Sequence, residues 1–154
     1  MHENNHRPSS FGTLFIFYWA MYWLMNGLDK FLNRRDLGLM TWHGKDRSDQ
    51  FGGYFTVCDL PEEWIKPLLY LVGIWEGIIF VVLAMVLWAL RFRSYFDEKL
   101  FKFGMYWGAA TFVIFSFFDV IFGDRAELLE HGTFLVLVGV TYHLVQGNRA
   151  FAYR

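Results

Sequence analysis

Residues 67–90 read PLLYLVGIWEGIIFVVLAMVLWAL, 24 positions in which Glu76 is the single charged side chain. A helix rises about 1.5 Å per residue and the hydrocarbon core of a bilayer is about 30 Å thick, so about 20 apolar residues reach across it. A helix on the surface of a soluble bundle would carry polar residues along one face, and this one carries one carboxylate. Three further segments have the same character. Residues 8–28 hold no Asp, Glu, Lys or Arg, residues 103–123 hold only Asp119, and residues 131–148 hold none. The pattern predicts an all-α fold, an integral-membrane antiparallel bundle of four transmembrane helices over about 8–30, 62–90, 95–123 and 125–147. A long interfacial loop, about 33–61, joins the first two helices, and the whole chain makes a single membrane domain.

Composition narrows the function classes. The chain has 154 residues, 21% of them aromatic and 19% charged, against about 25% charged in soluble proteins. Its mean hydropathy is +0.26, too apolar for a disordered chain. Cys58 has no second cysteine to pair with, so no disulfide framework exists. A net charge of −1 from 14 basic and 15 acidic residues gives no electrostatic case for nucleic acid as a partner. The expected surroundings are a lipid bilayer and other membrane protein subunits.

Local signals set the boundaries. Asp59-Leu60-Pro61-Glu62 has the pattern of a capping box with an early proline, opening the second helix. Gly123 can close the third helix in the left-handed conformation, and Asp124-Arg125-Ala126-Glu127 offers a second capping box. The last two helices should therefore form a tight hairpin. The first helix lacks a small-x-small cleavage site before Asp29 and reads as retained rather than as a signal peptide. The loop at 33–61 mixes Trp42, Phe51, Tyr54 and Phe55 with charges, as a segment at headgroup level does.

Basic residues are evenly divided between the two ends of such a bundle. Four of them, Arg91, Arg93, Lys99 and Lys102, crowd one short loop, where the positive-inside rule weighs most. That loop shares its side with Arg7, Arg149 and Arg154, so both termini are expected in the cytoplasm of a bacterial inner (plasma) membrane.

An ionisable residue at membrane depth marks a candidate site, because its burial is costly unless it is paired or hydrated. Glu76 lies near mid-membrane, flanked by Gly73 and Gly77, a small-xxx-small pair that lets a neighbouring helix approach. Gly104 and Gly108 repeat that packing device on the third helix, and Asp119 follows Gly108 by about three turns. Tyr22, Asn26 and Lys30 share one face of the first helix with Asp29 beside them, and Glu127 and His131 open the fourth at i, i+4 spacing. All eight polar residues can converge in one half of the bundle as a candidate polar pocket. Two uses stay open for it: polar contacts that lock helices together, or a proton-linked or quinone-type site.

Other chemistry has less to stand on. His131 and His143 share one helix about 120° out of phase, while His43 is in the loop and His2 and His6 are in the tail, which argues against a bis-His haem. Cys58 and the scattered histidines have no zinc spacing, so no metal and no catalytic residue are assigned. A quinone or a bound lipid is the small molecule such a pocket would suit.

The first helix ends Asn26-Gly27-Leu28-Asp29-Lys30-Phe31 and the second carries Gly73-Ile74-Trp75-Glu76-Gly77. These segments resemble the Gly-x-x-Lys-hydrophobic closure and the Glu-small-residue motif of DoxX-like proteins, small four-helix membrane proteins. The resemblance implies association with quinone-linked or other redox systems and points to Gly27, Lys30, Glu76 and Gly77. With no catalytic constellation in the sequence, the expectation is a non-catalytic accessory subunit of a larger energy-transducing complex, respiratory or photosynthetic in type. The alternative is a quinone-interacting or proton-handling subunit of a membrane oxidoreductase.

Overall fold

The structure, a computed structural model, describes residues 7–45, 47–93 and 95–146; His2, His6, Arg149 and Arg154 fall outside them. Five α-helices form among the described residues: α1 Ser10–Leu32, α2 Arg47–Val57, α3 Ile65–Trp88, α4 Glu98–Phe122 and α5 Arg125–Gln146. A 3-10 turn, Glu62–Trp64, leads into α3, and a π-helical turn, Ala89–Arg93, continues it. No strand occurs among the described residues, only an isolated bridge between Asp36 and Thr41.

Three of the helices are long and apolar enough to cross a membrane: the run Glu62–Arg93 that contains α3, then α4 and α5. One third or less of each apolar window is buried inside the protein, which leaves most of each surface to an apolar environment. The sequence predicted a fourth span in α1. With 23 residues α1 has the length, but Tyr18, Trp19, Tyr22, Trp23 and Asn26 interrupt its aliphatic character, and it falls outside the apolar class.

The helix ends follow from local chemistry. Gly123 takes φ 74°, and its N–H and that of Asp124 donate to the carbonyls of Val120 and Asp119 (3.3 and 2.9 Å), closing α4 as predicted. Asp124 then caps α5 by accepting from the Glu127 N–H at 3.1 Å. Its own N–H is already committed to Asp119, so the reciprocal arm of a capping box has no backbone donor to use. Asp97 caps α4 by accepting from the Leu100 N–H at 2.9 Å.

The segment predicted as a long loop contains α2, and the box predicted at Asp59 does not form. Asp59 takes φ 53°. Its N–H reaches the Thr56 carbonyl (3.3 Å) and the Leu60 N–H reaches Phe55 (2.9 Å), the pattern that closes a helix with a left-handed residue. Asp59 thus ends α2 rather than starting α3, and Pro61 precedes the 3-10 turn with no side-chain cap.

The chain divides into two compact units, one of residues up to Ala20 together with those from Val81 onward, the other Met21–Phe80. In the second unit, Phe55 of α2 is buried with Ile65 and Leu69, and Phe51 packs on them. In the first, Trp19 is 1% exposed and its indole Nε1 donates to Thr141 Oγ1 at 2.9 Å. Trp19 also meets Phe112 and Phe134 edge-on. On α4, a Cβ at Gly104 would lie 2.8 Å from Leu83 Cδ2, and Gly108 is buried.

Candidate functional site

In the unit Met21–Phe80, α1 and α3 meet backbone to backbone at Gly27 and Gly73. A Cβ on either would come within 3.1 Å of the other's carbonyl oxygen, an approach that only residues without side chains permit. Gly77, predicted as the second packing glycine, has open space where a Cβ would stand, although its backbone N lies 3.5 Å from where a Gly27 Cβ would be.

Close approach brings together the two charged residues that flank these glycines. Lys30 Nζ lies 2.9 Å from Glu76 Oε1 and 2.7 Å from Oε2, and it also donates to the Asn26 carbonyl at 3.1 Å. The side chains are 7% and 3% exposed. Nζ donates to Oε1 and to the Asn26 carbonyl, while Oε2 is in ion-pair contact and accepts no hydrogen bond. The result is a buried ion pair beside the Gly27–Gly73 contact. Asn26 turns its amide back onto its own helix, donating to the Tyr22 carbonyl at 3.0 Å. The Tyr22 ring lies edge-on to Trp23.

Asp29, one residue before Lys30 and about 100° round the helix, takes a different partner. Its Oδ1 accepts from the Trp42 indole Nε1 at 2.7 Å. Gly44 lies so close to that carboxylate that a methyl group there would overlap it. Trp42 is held by a tight turn in which its N–H donates to Arg35 and its carbonyl accepts from Arg34, both at 2.9 Å. Beside this contact is an open cavity of about 380 Å3, lined by Met25, Asn26, Asp29, Met40, Trp42, His43 and Gly44.

The remaining candidates belong to the other unit. Asp119 and Glu127 are buried, and both face His131. His131 Nδ1 is 2.6 Å from Asp119 Oδ2 and its Nε2 is 3.8 Å from Glu127 Oε2. Phe112 and Phe115 rings flank the imidazole at 6.1 and 5.2 Å. Asp119 is also the residue whose carbonyl closes α4, so the hairpin turn itself sets this cluster. No group of three or more His, Cys, Asp or Glu residues has metal-binding geometry among the described residues.

Of the eight predicted pocket residues, Tyr22, Asn26, Asp29, Lys30 and Glu76 lie in one unit, and Asp119, Glu127 and His131 in the other. Within the first, Lys30 and Glu76 pair while Asp29 turns to the cavity. Sequence reasoning passed over Trp42, His43 and Gly44 as site residues; Gly44 next to a loop Trp and His was the available signal. Thr141 as the acceptor for Trp19 had no signal in one sequence. No protein-family model, curated protein or solved structure matches the chain.

Proposed function

We propose that the chain spans the membrane four times, with α1 as the fourth span, and serves as a non-catalytic accessory subunit of a larger energy-transducing membrane complex. The observation that carries this reading is how its buried charges are used. Lys30 and Glu76 form a buried ion pair, and His131 lies between Asp119 and Glu127. Meanwhile Phe103, Tyr106, Phe117 and Phe118 on α4 and Trp75 and Trp88 on α3 are exposed. Polarity is turned inward to hold helices, and large aromatic surfaces are turned outward, where lipid or neighbouring subunits can cover them. The meeting of Lys30 with Glu76 adds support to the DoxX-like resemblance, since these are charged residues from its two separate motifs. The basic loop between α3 and α4 supports cytoplasmic termini in an inner membrane.

The test is extraction in a mild detergent, then native mass with identification of comigrating chains. Comigration at fixed stoichiometry with subunits that carry redox cofactors or pigments is the expected result. A monomer or small homo-oligomer of the 18.3 kDa chain would overturn the reading.

One observation favours a second reading, a quinone-interacting subunit. The cavity beside Asp29 offers an aromatic wall in Trp42, thioethers in Met25 and Met40, and polar groups in Asn26 and His43, a mixture suited to a flat ring with polar edges. Titration with a short-chain quinone should then quench Trp42 fluorescence saturably. Equal quenching of a Trp42→Phe variant would exclude that cavity.

A further inference from the structure

The turn that leaves α3 sets exposed cations against aromatic rings. Arg91 and Arg93 lie on the π-helical turn Ala89–Arg93 and, with Lys99 at the start of α4, are exposed. The nearby acids are committed to other contacts: Asp97 caps α4, and Glu98 pairs with Lys102 at 2.7 Å. Among the described residues no carboxylate stands within ion-pair distance of Arg91, Arg93 or Lys99. Both arginines lie against aromatic rings. The Arg93 guanidinium is 4.6 Å from the Trp88 ring centre, and that of Arg91 is 5.5 Å from Phe92. Guanidinium donors directed away from the ring stay available for a phosphate.

The depth fits a headgroup. α3 runs 24 residues from Ile65 to Trp88, roughly 36 Å and one bilayer core in length, so Trp88 reaches the boundary on the far side. Trp88, Phe92 and Tyr95 are 48%, 68% and 43% exposed, an aromatic belt at the level where tryptophan and tyrosine concentrate. Cations set among exposed aromatics match a molecule with an anionic head and an apolar tail. Inorganic phosphate would use only the cations. We propose that the α3–α4 connection binds the headgroup of an anionic phospholipid, with Arg91 and Arg93 as the phosphate-contacting residues and Phe92 and Tyr95 beside the upper acyl chain. This requires that α3 and α4 cross a membrane, and it stands whether or not the chain is an accessory subunit.

The experiment reconstitutes the full chain in phosphatidylcholine vesicles and measures quenching of tryptophan fluorescence by brominated phosphatidylglycerol and, separately, brominated phosphatidylcholine. Basic residues near an anionic surface contribute about fivefold each in affinity, so the wild type should prefer the anionic lipid by roughly 10- to 30-fold. Arg91→Gln/Arg93→Gln should bring that ratio close to one. Arg35→Gln/Arg125→Gln, which removes the same charge from other loops, should leave it unchanged. Arg91→Lys/Arg93→Lys should keep most of the preference, which separates loss of charge from misfolding. An unaltered ratio in the glutamine variant, or an equal fall in the Arg35/Arg125 control, would overturn the proposal. So would displacement of the lipid by inorganic phosphate at millimolar concentration, which would make this a free-phosphate site.

Discussion

Removing one member of the Lys30–Glu76 pair should be far more damaging than removing both. The two side chains are 7% and 3% exposed, with Nζ 2.7 and 2.9 Å from the carboxylate oxygens. A solvent-exposed ion pair contributes about 0–1 kcal/mol. A buried one behaves differently, because deletion of one partner leaves the other charge desolvated and costs about 3–5 kcal/mol. Lys30→Met leaves the buried Glu76 carboxylate beside the Gly27–Gly73 contact without its ion-pair partner. Glu76→Leu leaves an ammonium with only the Asn26 carbonyl. Lys30→Met/Glu76→Leu removes both charges and fills similar volume with apolar atoms, an exchange that is neutral or stabilising by about 1–4 kcal/mol in comparable cases. The measurement is thermal unfolding in a mild detergent, read by tryptophan fluorescence. Each single variant should melt on the order of 10 °C lower at the few degrees per kcal/mol typical of a chain this size. The double variant should melt at or above the wild type, a coupling of about 3 kcal/mol or more. A double variant as unstable as the two singles summed would refute the reasoning, as would singles that melt with the wild type. The same double variant separates the two functional readings. If the pair only locks helices, the complex should still assemble and turn over; if Glu76 carries protons, a folded, assembled complex should lose quinone-dependent turnover.

Four further outcomes test local geometry. Gly73→Ala places a Cβ 2.7 Å from Phe31 Cε2 and 3.1 Å from the Gly27 carbonyl, and should cost about 1–3 kcal/mol by overpacking. Gly77→Ala meets open space and should be neutral or stabilising by up to about 1 kcal/mol from helix propensity; paired melting curves check both signs. Thr141→Val takes the Oγ1 acceptor from the buried Trp19 Nε1 and should cost about 1–3 kcal/mol, with Thr141→Ser close to wild type in the same assay. Gly44→Ala must displace the Asp29 carboxylate and break its 2.7 Å bond from Trp42. Trp42 emission should shift as a result, and no shift should appear when the change is made in a Trp42→Phe background.

The three helices long and apolar enough to cross a membrane were legible because each is a long apolar run of bilayer-matching length. Runs predicted over about 62–90, 95–123 and 125–147 appear as Ile65–Trp88, Glu98–Phe122 and Arg125–Gln146, and Gly123 closes α4 as its sequence position suggested. The errors share one origin. α2, with Gly52 and Gly53 adjacent in its middle, has neither propensity nor periodicity to announce it. Its helical state comes with the packing of Phe51 and Phe55 on Ile65 and Leu69, a contact that one sequence does not display. Once that helix was missed, Asp59 could only be read as the start of α3, because the pattern that marks an N-cap also suits a residue tolerant of positive φ. The closing bonds to Thr56 and Phe55 decide between the two.

The polar residues show the same boundary between what depth and azimuth can reveal. Glu76 is buried beside the close-packing Gly73, and depth and azimuth of this kind belong to a single helix. Partner choice depends on two helices at once. Asp29 and Lys30 are adjacent in sequence, yet Lys30 turns to Glu76 across the Gly27–Gly73 contact while Asp29 turns to Trp42. That division has a functional consequence. A carboxylate paired with an ammonium and buried is spent on holding two helices together. Among the described residues Asp29 Oδ1 accepts from an uncharged indole N–H, and Asp29 lines an open cavity, so it faces a volume that a ligand could enter. If the chain handles a small molecule at all, the residue to follow is Asp29 rather than Glu76, although Glu76 is the more deeply buried and the more conspicuous in the sequence.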